Sequence, residues 1–313
     1  MKAMVCTKYG PPDVLQLREV EKPVPEDHEV LVRVYATSVT SSDCYVRGMA
    51  LSPVYRLAAR VALGFTKPRQ PILGMVFAGE IEAIGREVSL FKAGDRVFGI
   101  DRFAFGAYAE YKTMPETGVI FAAPGNLTYE EAAALPYGGT LALAFLRGKI
   151  HCGQKVMIYG ASGAVGTASV QLAKCFGAHV TGICSTANLE LVKTLGADHV
   201  IDYTKEDPAA KGGVFNLVFD AVGKRKSKNF QYRRVLAPCG KSISVDIGRP
   251  KLCLEDLDLL KELAEQKKVR PVIDRLYPFE MIVEAHRYVD KGHKKGNVVV
   301  AVANNQTEQK EII

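Results

Sequence analysis

Three glycines, Gly160, Gly163 and Gly166, follow the apolar run Val156 to Tyr159 and lead into an Ala- and Val-rich stretch. Glycine has no Cβ and tolerates positive φ, so a ligand can approach the backbone of such a turn closely. Where the turn opens a helix, the first N–H groups lack intrahelical acceptors and the dipole is positive, which suits a pyrophosphate. The spacing is GxxGxxG and not the GxGxxG fingerprint, so the glycines need their context. A predicted helix from Thr167 to Phe176, a strand from His179 to Ile183 and a further helix from Asn188 to Leu195 supply it as a βαβ unit. The segment reads as a dinucleotide cradle. A glycine turn with only a packing role, or a site for another nucleoside cofactor, is the alternative.

The end of the second strand bears on which dinucleotide is held. An Asp or Glu about 20 residues beyond the glycines would bond the ribose hydroxyls of NAD. Here the chain reads Ile183-Cys184-Ser185-Thr186-Ala187-Asn188, without an acid. Nothing in it repels a 2′-phosphate, and Ser185, Thr186 and Asn188 offer donors. NADPH is therefore expected over NADH, with Tyr203 and Lys205 as further contacts.

The elements that must position these residues fall into two textures. Up to about Glu110, short β-rich runs such as Val30 to Tyr35, Val76 to Ile84 and Arg96 to Ile100 alternate with turns, with helical character from Asp43 to Phe65. From about Thr128, helices and strands alternate: Tyr129 to Arg147, the cradle, His199 to Ile201, Phe215 to Ala221, Lys241 to Val245, Asp256 to Gln266. That alternation implies a doubly wound parallel sheet. A helix, Glu280 to Val289, and a strand, Asn297 to Val302, close the pattern.

At 313 residues the chain is long enough for two domains. The net charge of +7 is spread out, except for Lys224, Arg225, Lys226, Lys228, Arg233 and Arg234. This cluster reads as a solvated helix face, and no motif accompanies it that would mark a nucleic-acid partner. Seven cysteines form neither CxxC pairs nor a metal cluster, which points to a reduced, cytoplasmic setting. No signal peptide is evident, and the sequons at Asn126 and Asn305 are discounted on that ground. The uncharged stretch Val156 to Ala173 approaches a membrane span in length. Its glycine turn makes it a buried strand-turn-helix instead, so no transmembrane segment is expected.

Ordered motifs along nearly the whole chain resemble the medium-chain dehydrogenase/reductases, within them the zinc-independent quinone oxidoreductase and enone reductase branch. They are Gly10-Pro11-Pro12-Asp13-Val14-Leu15, Ser42-Asp43, Gly79-Glu80-Ile81 with Ile84-Gly85, Ala93 to Gly99, Gly106 to Tyr111, Ala132 to Pro136, Leu195 to Asp198, and Val200 to Tyr203. The resemblance implies a GroES-like, mostly β catalytic domain over 1–122 and 275–313 and a Rossmann domain over 123–274. It implies cofactor contacts at Thr140, Gly160, Ser162, Gly163, Ala164, Val165, Gly166, Ser185, Thr186, Asn188, Tyr203, Val222 and Asn297. A lipophilic small molecule is the expected substrate, and a homodimer is the candidate assembly.

Zinc relatives hold the metal on a Cys, a His and a second Cys. This chain has Thr40 or Ser41, then Met75, then Pro136 or Tyr137 in those places, and none supplies the expected ligand. No metal is expected. Hydride transfer to a conjugated acceptor then asks for positioning and a few donors at the developing enolate. Ser42 and Tyr45 carry hydroxyls where relatives line the nicotinamide pocket, and Tyr45 is the candidate proton donor, its alternative being a pocket-wall tyrosine. Asp43 reads as a helix cap or ion-pair partner. The six histidines have no triad or metal spacing, and His179 and His199 read as structural or exposed.

The interleaved apolar and basic residues of Leu51 to Gln70 suggest a flap over a lipophilic substrate or, as the other option, a membrane-surface helix. Two further functions compete with quinone or enone reduction: cofactor binding without turnover, and alcohol or aldehyde reduction. A short-chain dehydrogenase is excluded because Tyr288 and Lys291 do not make its YxxxK pair.

Overall fold

The computed structural model describes residues 1–49, 57, 60–211, 213–223, 232–247 and 254–302. The chain divides into two units, Met1–Pro136 with Ile273–Ile313, and Tyr137–Val272.

The first unit is mostly β. Its strands are β1 (Lys2–Cys6), β2 (Leu15–Glu19), β3 (Glu29–Val39), β4 (Val76–Ile84), β5 (Arg96–Ile100), β6 (Tyr111–Pro115) and β7 (Ile120–Ala122), joined by β13 (Ile273–Pro278) and β14 (Asn297–Ala301). Seven of them form one sheet in the order β13-β14-β3-β4-β5-β7, with β6 also paired to β3. Strand β3 is buried along almost its whole length. The reason is pairing on both edges: β4 lies on one side, while β6 and β14 share the other. Its valines Val30, Val32 and Val34 pack with Phe77, Ile81, Val97 and Met114, and β-branched side chains suit such a pleated, covered surface. The late return of the chain is explained by a second core, in which Phe279, Ile282, Val298 and Val300 close over Met4, Cys6, Leu15 and Tyr108.

Helix α1 (Ser41–Gly48) follows β3, and α2 (Tyr129–Ala134) starts at the capping box of Thr128 and Glu131. Three alanines of α2 are buried, the Ala133 carbonyl accepts from Ser38 Oγ, and Tyr129 stacks on Tyr35 with centroids 4.5 Å apart. These contacts keep α2 with the β-rich unit. The single helix expected from Tyr129 to Arg147 is two, because Pro136 has no N–H to give the preceding turn; α3 (Pro136–Leu146) starts there.

In the second unit, β8 (Lys155–Tyr159), β9 (His179–Cys184), β10 (His199–Asp202), β11 (Phe215–Asp220) and β12 (Leu236–Ser244) form a sheet in the order β10-β9-β8-β11-β12. Every pairing in it is parallel. Helix α4 (Ala164–Cys175) is buried from Ala164 to Ala173, so the long uncharged stretch is a strand, a turn and a covered helix. The remaining helices are α5 (Leu189–Thr194), α6 (Pro208–Lys211) and α7 (Leu254–Glu265), with α8 (Ile282–Asp290) in the first unit. The strand order reverses beside β8, and ligands of open α/β sheets bind beyond the carboxyl ends of strands at such a switch point. No helix among the described residues is long and apolar enough to cross a membrane.

Candidate active site

The switch point carries the glycine turn. Gly160 has φ +78, and the N–H groups of Gly160 and Ala161 both donate to the Ile183 carbonyl, at 3.0 and 2.9 Å. A Cβ on Gly160 would stand 2.1 Å from Val222 Cγ2, and one on Gly166 2.1 Å from the Gly160 carbonyl oxygen. The protein's own packing therefore requires both glycines. Gly163 is different: a Cβ there would meet only the Gly160 oxygen, at an ordinary 3.7 Å. It caps α4 without a side-chain bond, so the N–H groups of Ala164, Val165 and Gly166 lack intrahelical acceptors. The bare backbone at this cap fits an approaching pyrophosphate.

Beyond the carboxyl end of β9, the donors expected to meet a ribose are more committed than the sequence suggests. Asn188 is buried, and its amide nitrogen donates to Ser162 Oγ at 3.1 Å and Ser185 Oγ at 3.2 Å. Its Oδ1 has no partner among the described residues, so Asn188 offers an acceptor. Ser162 and Ser185 accept from it and keep their own protons for another group. The hydroxyl of Thr186 donates to Asp202, a residue of the next strand. Asp202 also accepts from the Thr204 hydroxyl at 2.6 Å and the Thr204 N–H at 3.0 Å. These bonds, Thr186 first, hold its carboxyl below the ordinary value. An acid does stand at this edge, although Cys184 to Asn188 contains none.

Val222 is held in place by Asp220, whose Oδ1 accepts from the Val222 and Gly223 N–H groups at 3.0 Å each. The other oxygen accepts from Tyr232 at 2.6 Å and Ser244 at 3.2 Å. Tyr203 is exposed, 6.3 Å from the Tyr159 ring, whereas Thr140 is buried within α3. Asn297, buried at the start of β14, belongs to the other unit.

In that unit α1 carries Ser42 and Tyr45. Three residues apart, they are neighbours on the helix surface, and Tyr45 is 44% exposed. The opposite face, Asp43, Cys44 and Arg47, is buried. Asp43 closes the capping box, accepting from the Thr40 N–H at 2.9 Å and the Thr40 hydroxyl at 2.6 Å. Burial pushes its carboxyl up to about 6, against the hydrogen bonds from Thr40, and its Oδ1 has no hydrogen-bond partner among the described residues. His286 Nε2 lies 3.1 Å from the Tyr108 hydroxyl and Nδ1 3.4 Å from Cys44 Sγ. Burial and Arg47 push this histidine down to about 3, so it is neutral. The neutral ring donates from one nitrogen and accepts at the other, so it pairs with the Tyr108 hydroxyl on one side and the Cys44 thiol on the other. Arg47 donates to Asp290 at 2.7 Å.

Sequence spacing shows none of this network, since Cys44 and His286 are 242 positions apart. His179 and His199 are exposed. Met75 is buried, and the Thr40 hydroxyl is spent on Asp43. Among the described residues no three His, Cys, Asp or Glu side chains gather as a metal cluster. Six cysteines are free, and Cys253 lies outside the described residues. Of the basic cluster, Lys224, Arg225, Lys226 and Lys228 lie outside the described residues, and Arg234 pairs with Asp207 at 3.4 Å. The Leu51 to Gln70 stretch is described only in part. There Leu57, Val61 and Phe65 are exposed.

Two family models match the chain: an alcohol dehydrogenase GroES-like domain over residues 26–124 and a zinc-binding dehydrogenase over residues 164–275. The chain is 34% identical to 2-methylene-furan-3-one reductase of Solanum lycopersicum, over 96% of its own length and 79% of that protein. It is 31% identical to NADPH-dependent alkenal/one oxidoreductase of Arabidopsis thaliana, over 96% of its length and 79% of that protein. Among solved structures it resembles the quinone oxidoreductase from Coxiella burnetii, with a TM-score of 0.82, 27% identity, and coverage of 97% of this chain and 99% of that one.

Proposed function

The chain belongs to the medium-chain dehydrogenase/reductase superfamily, in its quinone and enone reductase branch, and we propose that it passes hydride from NADPH to a quinone or to the C=C of an α,β-unsaturated carbonyl, without zinc. The observation that carries this reading is the pairing of a sterically exacting phosphate turn with a donor set unsuited to zinc. Thr40 is committed to its cap, and Met75 offers a buried thioether, a soft ligand that zinc sites rarely use. The names of the relatives support the same acceptors and NADPH.

The nicotinamide, when bound, supplies the hydride. The glycine turn and the first N–H groups of α4 hold the pyrophosphate, and the Ser162 and Ser185 hydroxyls face the ribose end. Hydride addition to a plain carbonyl leaves charge on one oxygen, which zinc relatives stabilise with the metal. A conjugated acceptor spreads that charge, and hydroxyl donors suffice. Tyr45 gives the proton and Ser42 steadies the oxygen. The test is steady-state NADPH oxidation with a panel of quinones, enones and simple aldehydes, alongside elemental analysis. Turnover of the conjugated acceptors by zinc-free protein is expected. Saturated alcohol formed from a simple aldehyde at the rate of the best enone, or stoichiometric zinc lost together with activity, would overturn it. Cofactor binding with no turnover of any acceptor would leave a binding protein.

A further inference from the structure

Asp202 ends β10 in register with Cys184, the last residue of β9, at the edge where a βαβ unit meets the cofactor's ribose. Its carboxylate is buried and cannot turn away, because both the hydroxyl and the N–H of Thr204 hold Oδ1. Oδ2 takes the proton of the exposed Thr186 hydroxyl and lies 3.9 Å from Lys205 Nζ.

We propose that Asp202 limits the preference for NADPH over NADH, by turning Thr186 into an acceptor and by drawing off the charge of Lys205. The proposal rests on the cofactor reading above. A ribose 2′-hydroxyl can donate to the Thr186 oxygen. A 2′-phosphate, largely doubly ionised at neutral pH, has no proton to give it and needs donors and cations. The acid thus acts one residue behind the contact, through the direction of a hydrogen bond. Asp202→Asn reverses that direction: the new amide donates to Thr186 Oγ1, the threonine proton is released toward the phosphate, and Lys205 loses its anion.

The experiment titrates NADPH and NADH, with no acceptor present, into the full chain, Asp202→Asn and Thr186→Val, following nicotinamide fluorescence. Calorimetric titration with 2′,5′-ADP and 5′-AMP isolates the phosphate. Asp202→Asn should raise the ratio of NADH to NADPH dissociation constants by about tenfold or more, mainly through tighter NADPH, and 2′,5′-ADP should follow. Thr186→Val should weaken NADH by about 3- to 10-fold and leave NADPH within about twofold, the scale of one neutral hydrogen bond. This second variant leaves the Thr204 bonds to Asp202 in place, so it decides the matter even if Asp202→Asn fails to fold. An unchanged or falling ratio in Asp202→Asn, or Thr186→Val weakening NADPH more than NADH, would overturn the assignment while leaving the cofactor reading intact. A wild-type chain that binds neither dinucleotide removes both.

Discussion

The glycine turn and helix α1 both present chemistry from a handful of residues, yet they are held in opposite ways. The turn is shaped by backbone sterics: a single methyl on Gly160 or Gly166 would collide at 2.1 Å. Helix α1 is held by polar groups from distant parts of the chain, Asp290 and His286, the latter itself set against Tyr108. A steric fit is all or nothing and is written in the residue type. A polar network is graded and titratable, and its members do not announce themselves.

The largest effect separating the two regions is expected at Tyr45. If α1 presents the proton donor, Tyr45→Phe should lower kcat for enones by about 10²–10⁴, the range for a positioned acid. Quinones, whose reduced form water can protonate, should suffer less. An enone rate equal to wild type would remove Tyr45 from the chemistry and leave α1 a structural element.

Glycine substitutions sharpen the steric side. Gly166→Ala should cost about 3 kcal/mol of stability or more, the upper range for overpacking, together with cofactor binding. Gly163→Ala has room for its methyl and should melt within a few degrees of wild type while binding NADPH about tenfold more weakly or worse. Denaturant unfolding and cofactor titration on both variants check this. Equal loss of stability in the two would show that Gly163, too, serves the fold alone.

The polar side is expected to show in pH dependence. Folded Asp43 keeps its proton up to about 6 in place of 3.8, so alone it makes stability fall as pH rises between those values. Folded His286 takes up a proton only near 3 in place of 6.5. Alone it makes stability rise with pH through that window. Between about pH 4 and 6 the two contributions oppose each other in the native protein. His286→Gln, which keeps one donor and one acceptor, should lose about 2–3 kcal/mol from pH 4 to pH 6, one pKa unit being about 1.4 kcal/mol. Asp43→Asn should gain stability over the same range. Urea titrations at pH 4, 5 and 6 measure both, and flat profiles in both variants would show that the network carries no buried charge.

The smallest effect lies outside both regions. Thr128→Ala breaks an exposed capping box on α2 and should cost about 1 kcal/mol in thermal or denaturant unfolding. A loss several times larger would mean that the stacking of Tyr129 on Tyr35 depends on the cap.

Much of the architecture was legible because it is local. Strands β4 and β5 coincide with the apolar runs Val76 to Ile84 and Arg96 to Ile100, and β8, the turn and α4 follow the glycine pattern. The helix pattern beginning at Tyr129 overran Pro136, since its apolar spacing continues where the hydrogen bonds cannot. Strand β13 was hidden because Ile273 to Pro278 is half-exposed and charged at Asp274 and Arg275. It is a strand only because β14 pairs with it.

At the candidate site the division is similar. The residue types alone determined that a dinucleotide could approach the backbone of the turn from Gly160 to Gly166, that Thr40 and Met75 could not replace a Cys and a His, and that hydroxyls stood at Ser42 and Tyr45. These are properties of single side chains or of their absence. Only the tertiary structure decided that Thr186 gives its proton to Asp202, that Asn188 turns its nitrogen to Ser162 and Ser185, and that a neutral His286 sits between Cys44 and Tyr108. Those outcomes depend on which donor meets which acceptor and on how much water is excluded around them. Both are set by contacts between segments far apart in the chain, which no local pattern of residues encodes.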